Sequence, residues 1–145
     1  MAKLTLPASI DQLHAVNKFL ADSLPPAFAA IRPNLELAAE ELLVNVFSYA
    51  YAEGQKGSAV IDLQEVFFDG APMVMLTVSD EGAPFNPFAE AEGPDITLDA
   101  ESRPIGGLGV FLIRNVTTHQ AYRAENGRNI IDVYFAMPDP ENARG

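Results

Sequence analysis

The chain has 145 residues, of which 48% are hydrophobic and 20% are charged. This length is that of one ordinary domain, so we predict a single domain over residues 1–145. The net charge of −11 would repel a phosphate backbone, which argues against direct nucleic-acid binding, and the lack of cysteine excludes disulfides and thiolate metal sites. No apolar run approaches the ~20 residues of a membrane span, and the N-terminus lacks the pattern of a signal peptide, so we expect a cytoplasmic protein.

The first third of the chain predicts a short strand and two helices. Lys3–Leu6 alternates polar and apolar residues, and Ser9-Ile10-Asp11-Gln12 has the form of a capping box at the start of a helix. Pro25-Pro26 would end that helix. A second helix is predicted over Leu35–Ala50, with Asn34 as its N-cap.

The second predicted helix carries two polar side chains beside a broad apolar face. Glu41 and Asn45 are four residues apart, which places both on one edge of the helix, one turn apart. Considered alone, a solvated helix edge is the simpler interpretation of this pair.

The middle of the chain predicts a β-hairpin that ends in a polar loop. Ala59–Phe68 alternates well enough for a strand, with Val60, Leu63 and either Val66 or Phe67 as core candidates. Met73–Ser79 is apolar enough to be a central strand. Asp80 ends this strand, and Gly82 opens a segment that cannot continue as sheet. A carboxylate here could accept a hydrogen bond from an amino group, although a turn aspartate is the simpler alternative.

A long acidic connection leads to a glycine-rich helix start. Residues from about 88 to 105 are polar and poorly periodic, and a connection of this length in a compact domain is usually a functional lid or disordered. Gly106, Gly107 and Gly109 then precede an apolar helix, where open backbone N–H groups and the helix dipole suit a phosphate. The pattern is neither a Walker loop nor a Rossmann fingerprint.

The last part of the chain predicts a second hairpin. Tyr122–Ala124 and Ile130–Phe135 flank Asn126-Gly127, a dipeptide that favours a type I′ turn, and residues 138–145 are expected to be disordered. The order of helices and hairpins predicts the α+β class. The expected architecture is a two-layer sandwich, with a mostly antiparallel mixed sheet covered by helices on one face.

Three of these stretches, in this order, resemble the nucleotide-binding domain of the GHKL ATPases and kinases, and within that group the anti-sigma-factor serine/threonine protein kinases. Glu41-Leu-Leu-Val-Asn45 matches the N box, Asp80 to Pro87 the G1 box, and Arg103-Pro-Ile-Gly-Gly-Leu-Gly109 the G2 box. Tyr122 to Asn129 resembles the closing hairpin. The resemblance runs from about Lys3 to Met137 and implies the GHKL (Bergerat) ATP-binding fold.

The resemblance implies a role for each matching residue. Asn45 would ligate a Mg²⁺ that bridges the ATP phosphates, and Glu41 would be the general base that takes the proton from a serine hydroxyl. Asp80 would bind the adenine amino group, and Gly82 would let the base approach. The phosphates would lie under the lid, against the glycines of the G2 box and the arginine before them, namely Gly106, Gly107, Gly109 and Arg103.

The function implied by the resemblance is that of an anti-sigma regulatory serine kinase. Such a protein uses Mg-ATP to phosphorylate a STAS-type anti-anti-sigma partner, sequesters a sigma factor and forms a homodimer. An ATP-gated binding module without significant kinase activity is the alternative, and the presence of Glu41 favours the kinase. A histidine-phosphorylating sensor-kinase domain ranks lower, because the sequence contains no helical hairpin with a phospho-accepting histidine. Tyr49 and Thr117-Thr118 depart from the histidine and Met-Asp that the family often has.

Overall fold

The computed structural model describes residues 2–7, 12–46, 57–82 and 107–137. The elements in chain order are β1 (Ala2–Pro7), α1 (Leu13–Ser23), a 3-10 helix (Pro26–Ile31), α2 (Arg32–Asn45), β2 (Ser58–Phe68), β3 (Ala71–Asp80), α3 (Gly107–Val116), β4 (His119–Glu125) and β5 (Arg128–Ala136). The predicted lid at 88–105, the tail at 138–145 and Tyr49 lie outside the described residues.

The five strands form one sheet in the order β1-β2-β3-β5-β4, and each neighbouring pair is antiparallel. The helices lie on one side of this sheet. The predicted α+β sandwich is therefore confirmed, and its sheet is antiparallel throughout the described strands rather than mixed. Strand β3 lies at the centre, between β2 and β5, as its apolar sequence predicts.

Both predicted hairpins are present, and local turn chemistry explains them. Asp69 and Gly70 join β2 to β3 with φ angles of 54° and 78°, and Asn126 and Gly127 join β4 to β5 with 54° and 76°. Positive φ at both central residues is the type I′ geometry that matches the strand twist. Glycine adopts it freely, and Asn or Asp does so more readily than other side chains.

Helix α2 begins earlier than predicted. It starts at Arg32, directly after the 3-10 helix, so Asn34 lies within its first turn and the prediction of an Asn34 N-cap is wrong. Pro33 fits this position because the first helical N–H groups need no intrahelical acceptor. Residues 47–50 of the predicted helix are outside the described part of the chain, as is Ser9 of the predicted capping box.

Helix α2 is the centre of the helical layer. It contacts α1, the 3-10 helix, α3 and strand β3. Its apolar side chains are consequently buried on several sides, as seen for Leu35, Ala38, Ala39, Leu42 and Leu43. A helix enclosed in this way holds its few polar side chains at fixed places in the core.

The sheet supplies the other half of the core through alternate residues of its strands. Ala59, Ile61 and Leu63 of β2 are buried, whereas Phe67 near the hairpin tip is 81% exposed, so its assignment to the core was wrong. Among the helices of the described residues, none is long and apolar enough to cross a bilayer.

Candidate functional site

Asp80 is a buried carboxylate at the end of the central strand, with only 4% of its surface exposed. Its Oδ1 accepts hydrogen bonds from the backbone N–H of Gly82 at 2.8 Å and from Nδ2 of Asn129 at 2.9 Å. The first bond closes an Asx-type turn, which directs the chain away from the sheet after β3. Neither bond uses Oδ2, so that oxygen can accept from a ligand.

Asn129 of β5 holds Asp80 from the neighbouring strand, and sequence analysis did not assign it a role. It lies directly opposite Asp80 in the sheet, is 2% exposed, and accepts a hydrogen bond on Oδ1 from the Tyr122 hydroxyl at 2.6 Å. A polar residue directly before the apolar pair Ile130-Ile131 was the available signal. Its partner is 49 residues away, so local pattern could not identify the contact.

A cavity of about 310 Å³ adjoins this hydrogen-bonded group. It is lined by Gly82 and by residues of the β4–β5 hairpin, namely Ala124, Glu125, Asn126, Gly127, Arg128 and Asn129. This volume is at the lower end of the range found for small-molecule sites. The cavity can therefore admit one ring system or a similar fragment beside Asn129 and Gly82.

The N-box helix places its two polar residues one turn apart near its end, as predicted. Asn45 is 6% exposed, and its Nδ2 has no hydrogen-bond partner. Glu41 is half-buried, and burial, followed by the charge of Glu40, raises the pKa of its carboxyl above the ordinary 4.5. A carboxylate with a raised pKa is a stronger base, and an unpaired buried amide is costly unless a ligand uses it.

The site suits Mg²⁺ held mainly by a bound nucleotide. The described residues contain no group of three or more His, Cys, Asp or Glu side chains that could hold a metal ion. Mg²⁺ commonly takes one or two protein ligands and completes its shell with phosphates and water. The carboxamide oxygen of Asn45 is a hard ligand of the type that such a shell accepts.

Within the described residues helix α3 runs from Gly107 to Val116, so Gly107 and Gly109 are helical rather than ahead of the helix. The first N–H groups of a helix have no intrahelical acceptor, and backbone N–H groups at a helix start can donate to a phosphate. Because α3 packs against α2, the structure brings the G2-box glycines and the N-box helix into neighbouring elements. Gly106 and Arg103 lie outside the described residues.

Thr117 and Thr118 fasten α3 to the sheet. The Thr117 hydroxyl donates to the Ile113 carbonyl at 2.7 Å, while the Thr118 N–H donates to the Tyr134 carbonyl at 2.7 Å. The Thr118 hydroxyl accepts from the Ala136 N–H at 3.2 Å. Thr117 therefore closes the end of α3, and Thr118 joins the segment after the helix to strand β5.

Comparisons with known proteins agree with this geometry. Residues 6–135 match the family model HATPase_c_2, described as "Histidine kinase-like ATPase domain". The chain is 28% identical over 101 residues to "Serine/threonine-protein kinase BtrW" of Bordetella bronchiseptica, a match that covers 70% of the chain and 68% of that relative.

A solved structure, the blue-light activated histidine kinase of Erythrobacter litoralis EL346, is similar with a TM-score of 0.50 and 15% identity. The match covers 78% of this chain, which spans only 32% of that kinase. At this identity the similarity concerns the fold.

Proposed function

The chain belongs to the histidine kinase-like ATPase domain family, and on that premise we propose that it is an anti-sigma regulatory serine/threonine protein kinase. In this proposal the protein uses Mg-ATP to phosphorylate a STAS-type anti-anti-sigma partner, and it sequesters a sigma factor. The family is named for ATPase activity, and the named kinase relative supports the transfer to a hydroxyl.

The observation that carries the kinase assignment is the Glu41–Asn45 pair on α2. Asn45 is buried with an unpaired amide nitrogen, and Glu41 one turn earlier has a raised pKa. A protein that only binds nucleotide needs Asn45, but it does not need a carboxylate base such as Glu41 one turn away. The pair thus fits phosphoryl transfer better than binding alone.

The remaining site residues would position the nucleotide. Oδ2 of Asp80 would accept a hydrogen bond from the adenine amino group, and Gly82 would leave room for the base. The N–H groups at Gly107 and Gly109 would donate to the phosphates, with Gly106, Arg103 and the lid at 88–105 as further proposed contacts. Bound Mg-ATP would supply the γ-phosphoryl group, and its Mg²⁺ would offset part of the phosphate charge.

Glu41 would act on the incoming serine or threonine hydroxyl. Its carboxylate would take the hydroxyl proton as the oxygen forms a bond to the γ-phosphorus, while the bond from that phosphorus to the bridging oxygen breaks and ADP leaves. Because the transition state of phosphoryl transfer needs little covalent help, the main contribution of the chain is to orient the hydroxyl and the phosphates.

The proposed partners follow from the resemblance to anti-sigma kinases. They are a STAS-type protein as the substrate, a sigma factor that the chain sequesters, and a second copy of the chain with which it forms a homodimer. In this proposal the protein is cytoplasmic and regulates transcription. Sedimentation of the purified chain tests the homodimer, and co-elution with a candidate sigma factor in the presence of Mg-ATP tests the capture.

Phosphoryl transfer to the partner tests the function itself. Wild type, Glu41→Ala and the control Glu36→Ala, five residues earlier on the same helix, are incubated with labelled ATP and the partner. Glu36 forms a 3.5 Å ion pair with the exposed Arg32, and such a pair is worth little. We expect transfer by wild type and control, and a loss of at least roughly 100-fold in Glu41→Ala.

Two outcomes of this experiment would contradict the proposal in different ways. Equal transfer by Glu41→Ala and wild type would remove Glu41 as the base. Binding of ATP without transfer by any of the proteins would instead establish the ATP-gated binding module.

A further inference from the structure

The hydrogen bonds around Asp80 form a chain that continues beyond the residues matched to the nucleotide site. The Tyr122 hydroxyl donates to Oδ1 of Asn129 at 2.6 Å, and Nδ2 of Asn129 donates to Oδ1 of Asp80 at 2.9 Å. Nδ2 of Asn129 also lies 3.4 Å from the Gly82 carbonyl oxygen. The chain therefore joins β4, β5 and the end of β3.

This arrangement determines which way the Asn129 amide faces. A carboxamide can present either its oxygen or its nitrogen, and the choice depends on its neighbours. Oδ1 of Asp80 and the Gly82 carbonyl oxygen can only accept, so Nδ2 of Asn129 faces them, and the amide oxygen then accepts from the Tyr122 hydroxyl. Asn129 is 2% exposed, so water does not compete for either end of the amide.

The amide in turn determines which oxygen of Asp80 remains available. Oδ1 already receives two donors, from Asn129 and from the Gly82 backbone. A carboxylate oxygen with two donors is satisfied, so the next donor is directed to Oδ2. The 4% exposure of Asp80 fixes the carboxylate in this orientation.

We propose that Asn129, held in place by its hydrogen bond from Tyr122, is the positioning residue that makes Asp80 read the amino group of a purine base. This inference rests on the proposed function, because it requires a nucleotide whose base lies against Asp80. It adds a specificity-determining pair on the closing hairpin, since only a base that donates a hydrogen bond can satisfy Oδ2. The cavity lined by Asn129 and Gly82 places open space beside the same group.

The test compares two nucleotides that differ only in the group to be read. ATP carries a 6-amino group, and purine riboside 5′-triphosphate carries hydrogen there. Calorimetric titration with Mg²⁺ gives both dissociation constants for wild type, Tyr122→Phe, Asn129→Leu and a control. The control is Thr77→Val, which removes a 2.6 Å bond to Asp132 between the same two strands. Residues 77 and 80 are an odd number of positions apart, so Thr77 faces the opposite side of the sheet.

We expect wild type to prefer ATP over the analogue by roughly tenfold or more, because the amino group donates to a charged acceptor. In Asn129→Leu the ratio of the two dissociation constants, analogue over ATP, should fall below about threefold because ATP binds more weakly while the analogue binds as before. Tyr122→Phe should give an intermediate ratio. Thr77→Val should keep the wild-type ratio. If Asn129 had only a structural role, its replacement would weaken the binding of both nucleotides equally and leave this ratio unchanged.

The outcomes separate this inference from the proposed function. Wild type that binds both nucleotides equally, or an unchanged ratio in folded Asn129→Leu, overturns the inference and leaves ATP binding intact. Wild type that binds neither nucleotide overturns the proposed function itself. If Asn129→Leu does not fold, the conservative Tyr122→Phe decides, and an unchanged ratio in that variant also overturns the inference.

Discussion

Replacement of Asn45 by leucine should separate ligand binding from stability. Asn45 is 6% exposed and flanked in the core by Leu42 and Val46, and its Nδ2 has no hydrogen-bond partner. Leucine has a similar reach and carries no polar atom. Asn45→Leu therefore removes an unsatisfied donor without a large change in shape, and it also removes the proposed Mg²⁺ ligand.

The magnitude follows from the cost of the unpaired group. A buried donor without a partner costs about 1–3 kcal/mol, so its removal should stabilise the nucleotide-free protein by a similar amount. For a domain of this size, 1 kcal/mol shifts Tm by about 3 °C, which gives an increase of roughly 3–9 °C. Mg-ATP at 100 times its Kd should add about 2.7 kcal/mol to wild type and much less to Asn45→Leu.

Thermal unfolding followed by circular dichroism, with and without Mg-ATP, measures both effects. Asn17→Leu is the matched control, because Asn17 is exposed on α1 and should show neither effect. A variant that melts at least 3 °C below wild type without nucleotide, and that gains as much from Mg-ATP, would refute the reasoning. Asn45 would then be a structural side chain.

Four further perturbations test other parts of the account. Burial and the charge of Glu40 raise the pKa of Glu41. The rate of phosphoryl transfer should therefore fall on acidification at a higher pH than it would with a glutamate of ordinary pKa. A pH–rate profile whose acid limb lies at the ordinary glutamate pKa would contradict this. The folded state holds that proton more tightly than the unfolded state, so Glu41→Gln should be more stable than wild type above the raised pKa and equally stable at more acidic pH, as measured by urea unfolding. Leu42→Ala, at a fully buried position of α2, should lower the free energy of unfolding by about 2–5 kcal/mol in the same assay. A decrease of less than about 1 kcal/mol would show that α2 is not central to the core. Gly127→Ala should lower the free energy of unfolding by about 1–2 kcal/mol because of backbone strain at a φ of 76°, and not because of a clash, since an added Cβ meets nothing within 4 Å. Gly127→Asn should lower it by less, because asparagine tolerates positive φ. Equal decreases in the two variants would point to a steric cause.

The fold was predictable where local chemistry decides it. Asp69-Gly70 and Asn126-Gly127 carry their turn geometry in two adjacent residues, and the strands on either side follow from them. The start of α2 could not be predicted, because the 3-10 helix ends where α2 begins and no side-chain cap marks the boundary. Phe67 has the composition of a core residue, but its position at the hairpin tip leaves it exposed.

The candidate site was predictable to the extent that a sequence motif carries it. Glu41, Asn45 and Asp80 each have a simpler interpretation when considered alone, and it is the family resemblance that gives each of them an expected role. Asn129 and Tyr122 could not be identified in this way, because their role depends on the pairing of β3 with β5. That pairing joins residues 49 positions apart, and no local pattern encodes it.

The central claim is a nucleotide site centred on Asp80, and calorimetric titration of Mg-ATP into wild type and Asp80→Asn tests it most directly. The asparagine oxygen can still accept from Gly82 and Asn129, so the fold should persist, while its amide nitrogen would oppose an adenine amino group. Asp69→Asn is the control, since asparagine also tolerates the φ of 54° at that turn.

We predict saturable, Mg²⁺-dependent binding by wild type and by Asp69→Asn, and binding weaker by roughly tenfold or more in Asp80→Asn. Absence of binding by folded wild type, or equal affinity in Asp80→Asn, would contradict the account.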